Sequence, residues 1–312
     1  MTARTGVLLM TFGSAVTADD VPAYLASVRA GRPVPADVTA EFQRRYRIIG
    51  RSPLIDITGA QARALQVLLD EREPNAFRVA AGMLHSTPAI AAAADSLVEG
   101  GAVRIIAIVL APQYSPIILA GYERAISDVR QRHRGIDIRI APAWHLSKGW
   151  IDSLTERLEG ALAALPDELR AHVPIIFTAH SLPRAVVDRD PGYIDQLHET
   201  AAAVARRAGL DQGRWQFAYQ SAGHTPEEWL TPDVKDVFPL LRRRRHRDVL
   251  VVPLQFLADH LEILYDIDVA AREEAEAAGM RMIRIELPNT SPTFIRALAG
   301  VVSRELDRVV AI

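Results

Sequence analysis

The chain has 312 residues, 49% of them hydrophobic and 24% charged, and its formal net charge is −2. This composition is that of an ordinary globular protein, long enough for about two domains. The balance of acidic and basic side chains argues against a nucleic-acid-binding surface. The sequence contains no cysteine, which excludes disulfides, thiolate zinc sites, iron–sulfur clusters and cysteine nucleophiles.

The N-terminal residues 1–4 are too few and too polar for a signal peptide, because a strand-like apolar run follows them directly. No apolar run approaches the roughly 18 residues that a membrane span needs. We therefore expect a protein without a membrane span, and the lack of cysteine favours the cytoplasm.

Short apolar runs rich in valine and isoleucine alternate with longer amphipathic segments along the whole chain. The runs predict strands at residues 7–12, 78–84, 103–110, 136–141, 173–178, 215–219, 248–253 and 280–285. The amphipathic segments predict helices at residues 60–71, 88–98, 150–162, 193–208, 260–278 and 293–310. Apolar strands separated by helices predict an α/β fold with parallel sheets covered on both faces.

The order of elements repeats in the two halves of the chain, and the first strand of each half ends alike, in Thr11–Phe12–Gly13–Ser14 and Thr178–Ala179–His180–Ser181. We interpret this as two similar Rossmann-like lobes, each with a four-stranded parallel sheet flanked by helices, although chance similarity of α/β units is an alternative. The predicted lobes are residues 1–147 and 172–312, joined by a linking segment at 148–171. The final helix is predicted to pack back on the first lobe.

Ligands of open parallel sheets bind beyond the carboxyl ends of the strands. Two facing lobes would therefore enclose a cleft. Its walls are predicted to come from residues 12–14, 85, 113–115, 180–183, 220–225 and 255–262.

His180 ends an apolar run in this predicted cleft, where its imidazole would point towards a ligand. A hydrogen-bonded loop histidine is the alternative. Asp259, Glu262 and Asp266 follow a later strand with the spacing of one helical face. The alternative is a solvated acidic face, with Asp259 as N-cap and Glu262 closing a capping box. Imidazole and carboxylate together suit ferrous iron or zinc, and a sparse site suits a metal that passes through.

Several other motifs carry less information about function. The first turn lacks the Gly-x-Gly-x-x-Gly pattern of a dinucleotide site, and Ser181 lacks the Gly-x-Ser-x-Gly elbow of a hydrolase. The basic run 242–247 is interpreted as a solvated helix end and turn. Arginines also flank two turns of the first lobe, where they serve either solubility or the bidentate binding of carboxylates. They are Arg29, Arg32, Arg45, Arg47 and Arg51.

Seven segments in a fixed order resemble the ferrochelatase family, most closely its short bacterial members that act on coproporphyrin III. They are LLMTFGS at 8–14, RYRIIGRSPL at 45–54, LAPQYS at 110–115, FTAHSLP at 177–183, YQSAG at 219–223, WLTPDV at 229–234 and FLADHLE at 256–262. Because they span nearly the whole chain, the resemblance is far more specific than any single motif.

The resemblance implies a lyase of heme biosynthesis with two Rossmann-like lobes around a porphyrin cleft. Ferrous iron is then a substrate, with no permanently bound cofactor, and His180 and Glu262 are implied to be the catalytic and metal-binding residues. The implied porphyrin contacts are Phe12, Arg29, Arg45, Tyr46, Ser52 and Tyr122. An iron donor and a downstream heme enzyme are further expected partners. The alternatives are the same chemistry on protoporphyrin IX and a non-catalytic tetrapyrrole or metal chaperone.

The sequence departs from the family pattern at three places. Phe12 stands where some members have a tyrosine that ligates product iron, Ala270 stands where some have a glutamate, and the loop 50–52 is one residue shorter than in some relatives. In addition, the apolar stretch 116–120 is either a lip for a membrane-delivered porphyrin or a buried helix start.

Overall fold

Two four-stranded sheets organise the computed structural model, which describes residues 4–223 and 226–310. The first sheet contains β1 (Arg4–Thr11), β2 (Phe77–Met83), β3 (Ala102–Val109) and β4 (Asp137–Ile140). The second contains β5 (Ile175–His180), β6 (Trp215–Gln220), β7 (Asp248–Pro253) and β8 (Arg281–Arg284). His224 and Thr225, which the predicted cleft wall included, lie outside the described residues.

All strand pairs described are parallel, and the spatial orders are β2-β1-β3-β4 and β6-β5-β7-β8. The two sheets therefore have the same strand order, which confirms the prediction of two similar α/β lobes. Residues 7–10 of β1 and 175–179 of β5 are fully buried. Helices cover both faces of such strands, so their sequences are continuously apolar instead of alternating.

Twelve α-helices of four residues or more lie between and after the strands in the described part of the chain. In the first half they are α1 (Val21–Val28), α2 (Ala36–Ile49), α3 (Leu54–Arg72), α4 (Ile90–Glu99), α5 (Pro116–Arg132) and α6 (Lys148–Ala163). In the second half they are α7 (Asp167–Arg170), α8 (Arg184–Val187), α9 (Gly192–Arg207), α10 (Val234–Arg243), α11 (Arg272–Ala277) and α12 (Pro292–Val310).

Four substantial helices were not predicted, namely α1, α2, α5 and α10. In α2 only Tyr46 is buried, so the helix lacks the apolar periodicity that marks a helix in sequence. A proline at position 239 interrupts the pattern of α10. This helix ends at Arg243 and a turn follows, which confirms the interpretation of the basic run as a helix end.

The apolar stretch 116–120 is the first turn of α5. The Ser115 hydroxyl caps this helix by accepting a hydrogen bond from the Ile118 amide at 3.5 Å, and Pro116 occupies the first helical position. Leu119 is buried in the core of the first lobe. The stretch is therefore a helix start that is buried at Leu119, whereas Pro116 is exposed, and an apolar lip stays an alternative.

The prediction of one regular helix at residues 260–278 is wrong. The segment begins as a π-helix at Glu262–Ala271 and becomes α-helical only in α11. Asp259 lies before the π-helix, whose N-cap residue is Leu261 with no side-chain cap. Asp259 and Glu262 therefore form neither the predicted shared helical face nor the alternative capping box. A π-helix has i→i+5 hydrogen bonds and is rare, and short π segments recur at functional sites.

One apolar core extends from the first sheet to the second. It includes Val7 and Ile108 of the first sheet, Phe177 of the second, and Trp150 of α6 between them. Helix α12 packs against both α3 and α6, and the rings of Trp150 and Phe294 make an edge contact with centroids 5.9 Å apart. Because this one core joins both sheets and α6, it does not separate the lobes, and the boundaries at residues 147 and 171 stay a prediction.

Candidate functional site

His180 is the last residue of β5, at the carboxyl edge of the second sheet. Its amide donates a hydrogen bond to the Gln255 side-chain oxygen at 2.8 Å, and the Gln255 amide nitrogen bonds the hydroxyl of Tyr193. The end of β5 is thereby tied to the loop after β7 and to α9. This bonding fixes the backbone from which the imidazole projects.

His180 and Glu262 form an ion pair. Nδ1 of His180 lies 3.1 Å from Oε2 of Glu262, and the two side chains are 29% and 39% exposed. Nε2 of His260 lies 3.8 Å from the same carboxylate oxygen. The structure therefore brings together the two residues expected to meet the metal and adds a second imidazole beside them.

The charge states of this pair reinforce each other. Burial lowers the pKa of His180, but the Glu262 carboxylate and the charge of Asp266 outweigh it, so the pKa is raised overall. Burial raises the pKa of Glu262, but His180 and His260 outweigh it and hold that pKa well below its usual value. At neutral pH these directions favour an imidazolium facing a carboxylate.

Asp266 lies one turn further along the π-helix, and its pKa is raised whereas that of Glu262 is lowered. Burial and the negative charge of Glu262 raise the pKa of Asp266, against the effects of the Ser221 hydroxyl and of Arg45. Neighbouring carboxyl groups whose pKa values are pushed apart are typical of acid–base sites. Glu262 is therefore the carboxyl group that stays ionised, and Asp266 is the one that is more easily protonated.

Arg45 of α2 reaches across to the π-helix. Its guanidinium donates to Asp266 Oδ1 at 3.3 Å and to Glu41 Oε1 at 2.8 Å, and it lies 5.0 Å from the ring centroid of Tyr265. The hydroxyl of Tyr265 also bonds Arg44. A residue expected to bind a propionate is thus already paired with a carboxylate behind Glu262.

The α1–α2 hairpin packs on the start of the π-helix through an apolar cluster. Leu261 shares this cluster with Leu25 and with Tyr46, whose hydroxyl lies 2.9 Å from the Ser14 hydroxyl. Burial raises the pKa of Tyr46, against the hydrogen bond with the Ser14 hydroxyl. This cluster joins the loop after β1, where Phe12 lies, to the segment that carries Glu262.

Phe12 follows β1 directly, and the residue is 43% exposed. Its ring makes a tilted contact with the ring of His85, with centroids 4.5 Å apart, and His85 Nδ1 lies 3.0 Å from the Ser27 hydroxyl. The next residue, Gly13, has a φ of +93°, and a Cβ there would lie 2.6 Å from the Ser86 hydroxyl. Glycine is therefore required for the turn that presents Phe12.

The other expected porphyrin contacts differ in accessibility. Arg29 ends α1 and is exposed. Ser52 is buried, its amide donates to the Val16 carbonyl at 2.9 Å, and its hydroxyl has no hydrogen-bond partner in the described chain. Tyr122 of α5 lies within the core of the first lobe, and burial raises its pKa. None of these three contacts the His180–Glu262 pair.

Two residues near the pair, His260 and Tyr24, were not among the predicted site residues. His260 could have been predicted from the sequence, because it lies two residues before Glu262 in the same segment. Tyr24, whose hydroxyl donates to the Gly13 carbonyl at 3.5 Å, gives no signal in the sequence. Within the described residues, histidine, aspartate and glutamate side chains nowhere form a group of three or more that could hold a metal ion.

Solved structures share this architecture. A structure of SirB from Bacillus subtilis with Fe3+ superposes with a TM-score of 0.58 over 96% of this chain and 94% of that one, at 13% identity. A cobalt complex of the sirohydrochlorin chelatase SirB from Bacillus subtilis subspecies spizizenii gives a TM-score of 0.56 over the same shares, at 12% identity. The chain therefore has the two-lobed α/β fold of these structures.

Sequence comparison identifies the family to which the chain belongs. A sequence model named Ferrochelatase matches residues 4–306, and the chain therefore belongs to the ferrochelatase family. It is 38% identical to a ferrochelatase of Deinococcus radiodurans over 97% of this chain and 96% of that protein. It is 35% identical to a coproporphyrin III ferrochelatase of Geobacillus kaustophilus, over 95% and 94%. A coproporphyrin III ferrochelatase of Bacillus subtilis is 32% identical, over 98% and 99%.

Across residues 4–223 and 226–310, no helix combines the length and the apolar character that crossing a bilayer requires.

Proposed function

We propose that the protein inserts ferrous iron into coproporphyrin III in the cytoplasm and that His180 and Glu262 meet the metal. Metal insertion into a porphyrin is the activity of the ferrochelatase family, to which the chain belongs. The observation that carries the assignment of residues is the 3.1 Å contact of His180 Nδ1 with Glu262 Oε2 at the carboxyl edge of the second sheet. Ligands bind at this edge in open parallel sheets.

The chemistry requires that two pyrrole N–H protons leave as iron enters. The raised pKa of His180 and the lowered pKa of Glu262 favour a protonated imidazole facing an ionised carboxylate in the resting pair. Glu262 attracts the divalent cation, and the arriving positive charge lowers the pKa of His180. The imidazole passes its proton to the Asp266 carboxylate, which releases it to solvent. The neutral imidazole then accepts the two pyrrole protons one after the other and passes each of them on by the same route.

Porphyrin binding is proposed to use both the ring faces and the propionates. The exposed ring of Phe12 offers an apolar surface, and the exposed Arg29 offers a guanidinium for a carboxylate. A propionate that binds Arg45 would take the place of Asp266, which now lies 3.3 Å from that guanidinium. The Ser52 hydroxyl has no hydrogen-bond partner in the described chain, and it would become a further donor if the loop that buries it moved when porphyrin binds. Tyr46 and Tyr122 are buried and are proposed to support the cleft wall from behind.

The choice of coproporphyrin rests on the number of charged anchors. Coproporphyrin III has four propionates and protoporphyrin IX has two, so the group of arginines that the sequence places around two turns of the first lobe favours the former. Two of the relatives named above are coproporphyrin III ferrochelatases. The Deinococcus radiodurans protein carries the name ferrochelatase without a substrate, which keeps protoporphyrin IX as the second candidate.

One assay separates these candidates. The protein is mixed anaerobically with ferrous iron and either porphyrin, and the loss of the free-base visible spectrum is followed. We expect faster turnover of coproporphyrin III. Faster turnover of protoporphyrin IX would support the second candidate, and binding without metallation would indicate a chaperone.

The assignment of His180 is tested by His180→Ala. We expect iron insertion to be lost while quenching of porphyrin fluorescence still reports binding, because the propionate and ring contacts remain. The matched control is His133→Ala, which removes a surface histidine paired with Asp95 at 2.6 Å. Wild-type turnover by His180→Ala would contradict the assignment.

A further inference from the structure

Four carboxylates around the π-helix divide into two sets. Glu262 contacts His180 and Asp266 contacts Arg45, so both belong to the site. Asp259 and Asp268 instead share one cation, Arg284, on the side of β8. Asp259 and Asp268 flank Glu262 and Asp266 in the sequence, so the backbone and Arg284 together decide which carboxylates reach the site.

Arg284 is the last residue of β8, and its side chain is only 13% exposed. Nε donates to Asp268 Oδ1 and Nη2 to Asp268 Oδ2, each at 2.8 Å, so the planar guanidinium holds both oxygens of one carboxylate. The same Nη2 lies 3.5 Å from Asp259 Oδ1. Nη1 donates to the Ile285 carbonyl at 2.9 Å, which fixes the guanidinium to its own strand.

A second set of bonds fixes the approach to the π-helix. The Asn289 side chain accepts from the Asp259 amide at 2.9 Å and donates to the Asp259 carboxylate at 2.8 Å. The Asn289 carbonyl accepts from Gln61 of α3 at 2.8 Å. The chain before Glu262 is thus held from β8 and also from the first lobe.

We infer that Arg284 is a positioning residue for iron insertion: it binds Asp259 and Asp268 and so leaves Glu262 and Asp266 to act beside His180. This inference rests on the proposed function. Carboxylate oxygens bind divalent cations, and affinity rises with the number of charged ligands. If Asp259 and Asp268 were not neutralised, they would retain a cation that the site must pass on to the porphyrin.

The test compares Arg284→Gln with the wild-type protein. We expect kcat for iron insertion to fall about 10- to 100-fold, the usual effect of losing an outer partner of a metal site, while porphyrin affinity is unchanged. Mn²⁺, followed by electron paramagnetic resonance of the free ion, should gain one binding site in the variant. Arg272→Gln is the control, because Arg272 lies 3.9 Å from the same Asp268 carboxylate but at the exposed rim.

Unchanged kcat in Arg284→Gln, or an equal effect of Arg272→Gln, would overturn the inference. A fall in kcat accompanied by an equal loss of porphyrin affinity, without the additional Mn²⁺, would show a general structural role and also overturn it. If Arg284→Gln does not fold, Arg284→Lys is tested instead, because lysine keeps the positive charge but lacks the planar guanidinium. We expect Arg284→Lys to have a reduced kcat and no additional Mn²⁺ site. A wild-type kcat in this variant would refute the inference. A wild-type protein that metallates no porphyrin refutes the proposed function alone, since the Mn²⁺ comparison still tests Arg284.

Discussion

Replacing Glu262 by glutamine should lower the pKa of His180, because it removes the negative charge that stabilises the imidazolium. At the observed 3.1 Å separation, two unit charges attract by about 1.3 kcal/mol at the dielectric constant of water. This value corresponds to about one pH unit. Because 39% of the Glu262 side chain is exposed, solvent screens the pair, and we therefore take this lower limit of the Coulomb energy as the expected effect.

The measurement is an NMR titration of isotopically labelled histidine in the wild-type protein and in Glu262→Gln, without iron or porphyrin. The control is Glu228→Gln, which removes an exposed carboxylate paired with Arg184 at 2.8 Å and not with His180. We expect the His180 titration to move down by about one pH unit in Glu262→Gln and to stay unchanged in the control. An unchanged or raised His180 titration in Glu262→Gln would show that this ion pair does not set the charge of the site.

Three further predictions concern stability. Trp150→Ala should lower the free energy of unfolding by about 3–5 kcal/mol in a denaturant titration, because the ring is fully buried. Gly13→Ala should lower the free energy of unfolding by at least about 1–2 kcal/mol because of the positive φ at this position, and the clash with Ser86 adds to this loss. The same variant should bind porphyrin more weakly. The control Gly160→Ala, which adds a methyl group in open space within α6, should be neutral or stabilising in a thermal melt. Hydrogen bonds from two arginines lower the pKa of Glu41 from 4.5 to about 2. The ionised carboxylate therefore contributes fully to stability above pH 4.5, and this contribution is lost as the pH falls towards 2. In Glu41→Gln the melting temperature should depend less on pH over that range.

The sequence predicted the sheets far better than the helices. Strands buried on both faces are continuous apolar runs, so all eight were located within a few residues. Helix α2 is mostly polar, and only Tyr46 in it is buried. A helix of this kind has no apolar periodicity and was missed. The sequence of the π-helix contains no feature that distinguishes it from an α-helix, so the prediction placed Asp259 on the wrong structural element.

The candidate site was predicted as a set of residues and not as a network. The position of His180 at a strand end and of Glu262 after another strand follows from topology. The pairing of Arg45 with Asp266 and of Arg284 with Asp268 joins residues more than ten positions apart. No local pattern encodes such pairs, because each depends on how two elements meet in the folded chain.

The continuous core between the two sheets limits what the protein can do mechanically. Trp150 and Phe294 lie in the same apolar cluster as strands from both halves, so pulling the halves apart would expose the interior of each. A hinge that opened the two halves would have to break this cluster. Adaptation to a porphyrin is therefore expected in the α1–α2 hairpin and in the Arg45–Asp266 ion pair that joins this hairpin to the π-helix.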